Sequence, residues 1–146
     1  MMTVLEIDTH IDIAAPPERV WEILADFATY HEWNPFFVDA RGQAEPGREL
    51  VLHTRFSARL EPRPFPVVVR EVDAPHHLRW GGQLGIPRLA NGDHGFDLTP
   101  VDHGTRVHHN SRHQGLAVPL LRPLMTRLTP RYHELNAALR RRMEDG

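Results

Sequence analysis

Eleven histidines in 146 residues carry most of the chemistry this chain offers, and several of them, His94, His108, His109 and His113, fall in its last two extended runs. The runs 93–100 and 105–114 are joined by Val101-Asp102-His103-Gly104, a hairpin signal because glycine supplies the φ > 0 position such turns favour. A turn about Asp102 and His103 sets Leu98 opposite Val107, Phe96 opposite His109 and His94 opposite Ser111. Strand side chains alternate between faces, so His94, Phe96 and Leu98 share one face with Val107, His109, Ser111 and His113. The apolar members mark that face as inward. His94, His109 and His113 are therefore expected to project together into the interior.

Three chemistries fit such a group. An imidazole in a semi-apolar pocket can act as general base or acid near neutral pH, and proton abstraction beside a carbonyl is the step that aldol-type ring closure or dehydration needs. Arginines or Tyr132 would then steady the enolate oxygen. In the second reading, the histidines bond to Ser111, Asn110 or water and only lend polarity. The third is a three-histidine metal site, which strand spacing permits without demanding. No metal and no cofactor is assigned. The pairs His76-His77 and His108-His109 point to opposite faces of a strand and cannot chelate as units, and His10, His31, His53 and His103 are expected at the surface.

Around this group the sequence places an apolar wall: Trp80, Phe56, Leu52, Phe65, Val67 and Val69 on extended runs, and Leu121, Met125, Leu128, Tyr132 and Leu135 on a C-terminal helix. Each alone is ordinary core. Together with a few converging polar groups they describe a small-molecule site. Trp33, with Asn34-Pro35, is expected at its mouth or packed beside it.

The elements that position these residues read as follows. Residues 3–13 alternate as a strand, with Val4, Ile7, Ile11 and Ile13 among polar neighbours. A helix begins near Pro16, since proline suits a first turn and Glu18 suits the positive dipole end; Val20, Ile23, Leu24 and Phe27 give it one apolar face. A second short helix or turn spans 30–35 and ends at Pro35. Six strands follow, at 37–43, 49–60, 66–73, 77–84, 93–100 and 105–114, punctuated by Gly, Pro and Asp as in an antiparallel meander. The loop 85–92 reads as a mobile rim or lid. From Leu121 the period becomes helical through Leu124, Leu128, Tyr132, Leu135 and Leu139, which predicts a long helix kinked near Pro130. Arg140-Arg141-Arg142 reads as a solvated helix end.

Composition narrows the function classes. Forty per cent hydrophobic and 25% charged residues are globular values, and 146 residues fit one domain, 1–146. A formal charge of -2 and a pI near 6.6 give no general attraction to nucleic acid. Residues 1–13 do not read as a signal peptide, and no window approaches the ~20 apolar residues that membrane insertion requires. With no cysteine, a reducing compartment suits the chain, and the cytoplasm is the expected location. The seventeen basic residues are all arginine, which excludes lysine chemistry. Nucleotide-binding glycine loops, G-x-S-x-G and H-E-x-x-H are missing.

The order strand, helix pair, six-stranded run, long helix resembles the START-like, SRPBCC helix-grip superfamily, and within it the polyketide cyclase/dehydrase-like branch. The residues that carry the resemblance are Ala15-Pro16-Pro17-Glu18-Arg19-Val20-Trp21, Trp33-Asn34-Pro35-Phe36, Leu78-Arg79-Trp80, Gly92-Asp93-His94 with Phe96 and Leu98, Gly104-Thr105-Arg106-Val107, and Gly115-Leu116. The resemblance implies an α+β fold in which a curved, antiparallel, seven-stranded sheet wraps a long C-terminal helix around a deep cavity. It does not imply one activity. In that branch the position of Ser111 often carries an acid and that of His113 an aromatic, so this chain departs from it at both. The expectation is a monomer or weak homodimer that binds a small hydrophobic, aromatic or polyketide-like molecule. Its catalytic candidates are His94, His109 and His113, and its lining residues include Trp33, Phe56, Trp80, Phe96, Ser111, Leu121, Met125, Leu128 and Tyr132. A carrier or sensor of a lipid or aromatic metabolite, and a partner-binding regulator, are the alternatives.

Overall fold

The computed structural model describes residues 3–83 and 91–145. Its first strand, β1 (Thr3–Ile13), turns Leu5, Ile7, Thr9 and Ile13 inward and Val4, Glu6, Asp8 and His10 outward. Val4, expected among the apolar set, is on the outer face, and Leu5 takes its place. Pro16 then holds extended backbone and Pro17 opens α1 (Pro17–Ala25), with Glu18 in the first turn and Val20 and Leu24 buried. The short helix expected over 30–35 lies earlier, as a 3-10 turn at Phe27–Glu32. Phe27 and Tyr30 bury together three residues apart, and the Tyr30 hydroxyl donates to the Leu24 carbonyl, which anchors the turn before Pro35 acts.

Six strands follow in chain order: β2 (Phe37–Gly42), β3 (Glu49–Thr54), β4 (Arg63–Asp73), β5 (His77–Gln83), β6 (Asn91–Val101) and β7 (Gly104–Gly115). With β1 they form one antiparallel sheet in the order β1-β7-β6-β5-β4-β3-β2. Register shifts between Phe37 and Asp39 in β2 and between Val69 and Glu71 in β4 increase the local twist. β3 ends at Thr54, six residues short of expectation, because a turn through Ser57 and Leu60 intervenes. β4 starts before Pro66 and tolerates Pro64 and Pro66 because that end pairs only with β3, β5 joining from Val68 onward. The β6–β7 hairpin turns on Asp102 and His103 as expected. At Gly104, φ is 155° and a Cβ would stand 2.0 Å from the Ile13 carbonyl oxygen, so only glycine fits.

The kinked helix expected at the C-terminus is two helices, α2 (Val118–Thr126) and α3 (Thr129–Asp145). Pro130 starts the second rather than bending the first, since its missing N–H costs nothing in a first turn. α3 lies along β1 and buries Tyr132, Leu135, Asn136, Ala138 and Leu139. The result is the seven-stranded helix-grip architecture, with its core between the sheet's inner face and the helices. The loop expected over 85–92 lies outside the described residues except for Asn91 and Gly92, which already belong to β6.

Candidate functional site

Between the sheet and the α2–α3 helices lies a cavity of about 820 Å³. Its walls are mostly apolar: Leu52, Phe65 and Val67 from β3 and β4, Trp80 from β5, and Leu121, Met125 and Leu128 from α2 and the turn after it. Phe36 and Phe37 close another side. The Asn34 side-chain carbonyl accepts both of their backbone N–H groups, at 3.0 and 2.8 Å, and so fixes them against the cavity. Gly82 of β5 and Gly92 of β6 are register partners that line it without side chains, leaving it wide. At the rim the Arg131 guanidinium donates to the carbonyls of Pro35 at 2.8 Å and Arg55 at 3.3 Å and pairs with Glu134, which ties the first turn of α3 to both rim loops.

One end of the cavity is polar. His94 and His113 line it with Tyr132. His94 stacks on Trp80, ring centroids 5.2 Å apart and planes 11° apart, and its Nε2 lies 2.7 Å from Nε2 of His109. The Tyr132 hydroxyl is 2.7 Å from Ser111 Oγ and 3.3 Å from His94 Nδ1, and Ser111 Oγ is 3.0 Å from His113 Nε2. His109 is wholly buried behind this front, its ring stacked on Tyr132 with centroids 4.4 Å apart and its Nδ1 2.9 Å from Asn136 Oδ1.

Burial sets the protonation of the cluster. Desolvation penalises an imidazolium, and it lowers His109 to about 3 against the partial support of the Asn136 hydrogen bond. It also pushes His94 well below the ordinary histidine value, with His109, His113 and Arg79 adding like-charge repulsion. The same burial lowers His113, opposed by Asp93. Tyr132 is pushed up to about 12 by desolvation despite its Ser111 bond. At neutral pH the polar end therefore holds neutral imidazoles and a protonated phenol, a combination of lone pairs and O–H donors without net charge.

A depression of about 400 Å³ on the opposite face of the sheet is charged instead. There Arg79 bonds Asp93 at 3.3 Å and Asn110 at 2.8 Å and sits 3.5 Å from Asp97, so the two carboxylates share one guanidinium. Among the described residues no group of three or more His, Asp or Glu side chains is arranged to hold a metal ion. No helix of theirs is long and apolar enough to cross a membrane.

The family model described as polyketide cyclase / dehydrase and lipid transport matches residues 4–144. The chain belongs to that family. No curated protein matches it. Among solved structures, the aromatase/cyclase ZhuI from Streptomyces sp. R1128 superposes with a TM-score of 0.73 at 15% identity, covering 97% of this chain and 94% of its own. Norcoclaurine synthase from Thalictrum flavum, in complex with dopamine and hydroxybenzaldehyde, gives 0.74 at 13% identity, covering 99% and 88%. A Staphylococcus aureus protein of unknown function gives 0.75 at 9% identity, covering 99% and 96%. These likenesses concern the fold.

Within this polyketide cyclase/dehydrase family member, the residues singled out from sequence fall into three groups. His94, His113, Trp80, Phe56, Leu121, Met125, Leu128 and Tyr132 line the cavity. Phe56 does so from the turn after β3, not from a strand. His109, Phe96 and Ser111 face inward as expected but form the layer behind, all three buried and none among the lining residues. Trp33 is neither: its ring packs edge-on against Tyr30, centroids 5.3 Å apart, and its indole nitrogen is buried without a partner among the described residues. Of the histidines expected at the surface, His10, His31 and His103 are exposed, while His53 is half-buried 3.8 Å from Asp39.

The sequence assigned no site role to Phe36, Phe37, Arg131, Thr9 or Asn136. Asn136 left a signal, as a polar residue on the buried stripe between Leu135 and Leu139. Thr9 left a weaker one, at an inward position of an alternating strand.

Proposed function

We propose that the protein binds a small, largely apolar carbonyl compound in this cavity and promotes ring closure or dehydration, with His94 as general base. The observation that carries the reading is His94 itself. It lines the cavity, its Nε2 is engaged by His109, and its Nδ1 stands 3.3 Å from the Tyr132 hydroxyl. In the proposed step His94 takes a proton from the carbon next to the carbonyl. The C–H electron pair becomes the enolate double bond, and the charge that develops on oxygen is met by the Tyr132 O–H, which a pKa near 12 keeps protonated. The enolate carbon then attacks a second carbonyl of the same molecule, whose oxygen receives the proton from His94; in a dehydration His94 next takes a second proton from the attacking carbon, that C–H pair forms the C=C bond, and the hydroxyl leaves with the proton from His94 as water. His113, bonded to Ser111, is the alternative proton carrier. His109 does not reach the cavity and is assigned no direct contact with the ligand.

A second reading, a noncatalytic carrier or sensor, is favoured by one feature: His94, His113, Ser111 and Tyr132 already satisfy one another and demand little of a ligand. One experiment separates the two. The protein is incubated in D2O with 1-phenylbutane-1,3-dione, an apolar dicarbonyl probe, and exchange of its central protons is followed by NMR. The enzyme reading predicts an acceleration on the order of 10²–10⁴-fold that His94→Ala abolishes while affinity stays within a few-fold. Equal exchange with the native protein and the variant supports the carrier.

A further inference from the structure

We infer that Thr9 and Asn136 are positioning residues that dictate which nitrogen of His94 is the base: the buried hydrogen-bond chain between them and the cavity permits a single proton order, and it leaves the lone pair on Nδ1. The tautomer assignment stands on the hydrogen bonds between rings that burial keeps neutral; only its catalytic consequence rests on His94 being the base.

The order follows bond by bond. Thr9 Oγ1 lies 2.7 Å from the backbone carbonyl oxygen of His109, which can only accept, so the single hydroxyl proton of Thr9 goes there. Toward Asn136, 2.9 Å away, Thr9 is then an acceptor, which turns the amide Nδ2 toward Thr9 and Oδ1 toward His109. Oδ1 can only accept, so the hydrogen of the neutral His109 ring is on Nδ1 and the lone pair on Nε2. Across 2.7 Å that lone pair needs a donor, which must be the Nε2–H of His94. A neutral His94 with its proton on Nε2 has its lone pair on Nδ1, beside the Tyr132 hydroxyl. The reverse order would set two lone pairs or two hydrogens against each other inside a buried wall, where an unmade hydrogen bond is costly.

The relay runs through β1, β7, β6 and α3, joining residues up to 127 positions apart, and burial holds it dry: Thr9 and Asn136 are 4% and 2% exposed. Beyond this point the Tyr132 hydroxyl donates to Ser111 Oγ at 2.7 Å and Ser111 Oγ lies 3.0 Å from His113 Nε2, while the longer 3.3 Å contact leaves the His94 Nδ1 lone pair available to a ligand. The site thus combines one fixed tautomer with a short hydrogen-bonded chain beside it.

Asn136→Asp tests the assignment by reversing it. A carboxylate still accepts from His109 Nδ1–H but favours the imidazolium, whose Nε2–H then donates to His94 and drives the His94 proton onto Nδ1. Long-range ¹H–¹⁵N spectra of protein labelled at histidine nitrogen distinguish protonated from bare ring nitrogens. In the native protein the bare nitrogens are expected to be Nδ1 of His94 and Nε2 of His109. In Asn136→Asp the bare nitrogen of His94 moves to Nε2, and α-proton exchange of the dicarbonyl probe falls on the order of a hundredfold with affinity kept.

Thr9→Val, close to isosteric, frees the Asn136 amide to turn and is expected to give both His94 tautomers; it serves if Asn136→Asp does not fold. A bare Nε2 on His94 in the native protein overturns the inference. So does an Asn136→Asp spectrum with the native His94 tautomer, or a Thr9→Val spectrum with that tautomer alone. If the native tautomers are as stated but His94→Ala leaves exchange untouched, the catalytic reading fails and the relay stands.

Discussion

His94 and His109 share one hydrogen bond but meet different surroundings, and the difference decides what pH does to each. His94 borders the cavity and is held below the usual histidine range, so it stays a free base well into mild acid. Exchange of the dicarbonyl probe should therefore be flat through neutral pH and fall only in acid, with a midpoint below the ~6.5 of free histidine; a midpoint at or above that value would contradict the burial argument. His109 bears on stability. Its native pKa of about 3 lies below the unfolded value, so between roughly pH 6.5 and pH 3 the unfolded chain binds more protons. The contribution is fully present above pH 6.5 and is lost as pH falls through that window, on the order of a few kcal/mol. Urea unfolding of the native protein and His109→Gln at pH 7 and pH 4 should show the native protein losing more of its stability than the variant. The inward face of these histidines was legible from strand alternation once the Asp102-His103 turn was recognised. Their direct contact with each other and with Asn136 was not, because it depends on α3 meeting β1 from the opposite end of the chain.

Helix α3 supplies Tyr132 and Asn136 to the site, and its other buried residues hold it there. Leu135 and Leu139 are fully buried beside them, so Leu135→Ala should cost about 2–5 kcal/mol in urea unfolding and blunt the α-proton exchange, since the helix that carries Tyr132 loses its anchor. A cost under ~1 kcal/mol would mean that α3 is held by other contacts, chiefly those of Arg131 at the rim. The strands were readable because turn residues punctuate them and the hairpin loop is short. Helix limits were harder to read: Pro130 on an unbroken apolar period fits a kink as well as a fresh start. The end of β3 was obscured by Phe56 and Leu60, which continue an apolar pattern through a turn.

Among the described residues the curved sheet is closed on one side by α3 and borders a cavity beneath α2, and that cavity is the feature on which the proposed function depends. No periodicity foretells an empty volume; a residue on an inward face reads the same whether it packs against a neighbour or borders a hollow. The cavity was therefore expected through the family resemblance, while its polar end was read from the residues. Filling it tests its use. Leu128→Trp, at a half-buried lining position, should weaken probe binding at least ~tenfold with no loss of melting temperature, because the added ring occupies space no side chain now fills. Unchanged affinity would place the ligand elsewhere.

The most direct measurement is a crystal structure of the protein with 1-phenylbutane-1,3-dione. The account predicts the probe inside the cavity, one carbonyl oxygen within hydrogen-bond reach of the Tyr132 hydroxyl and the central carbon roughly 3–3.5 Å from His94 Nδ1. Density for the probe only outside the cavity, or His94 turned away from it, would contradict the account.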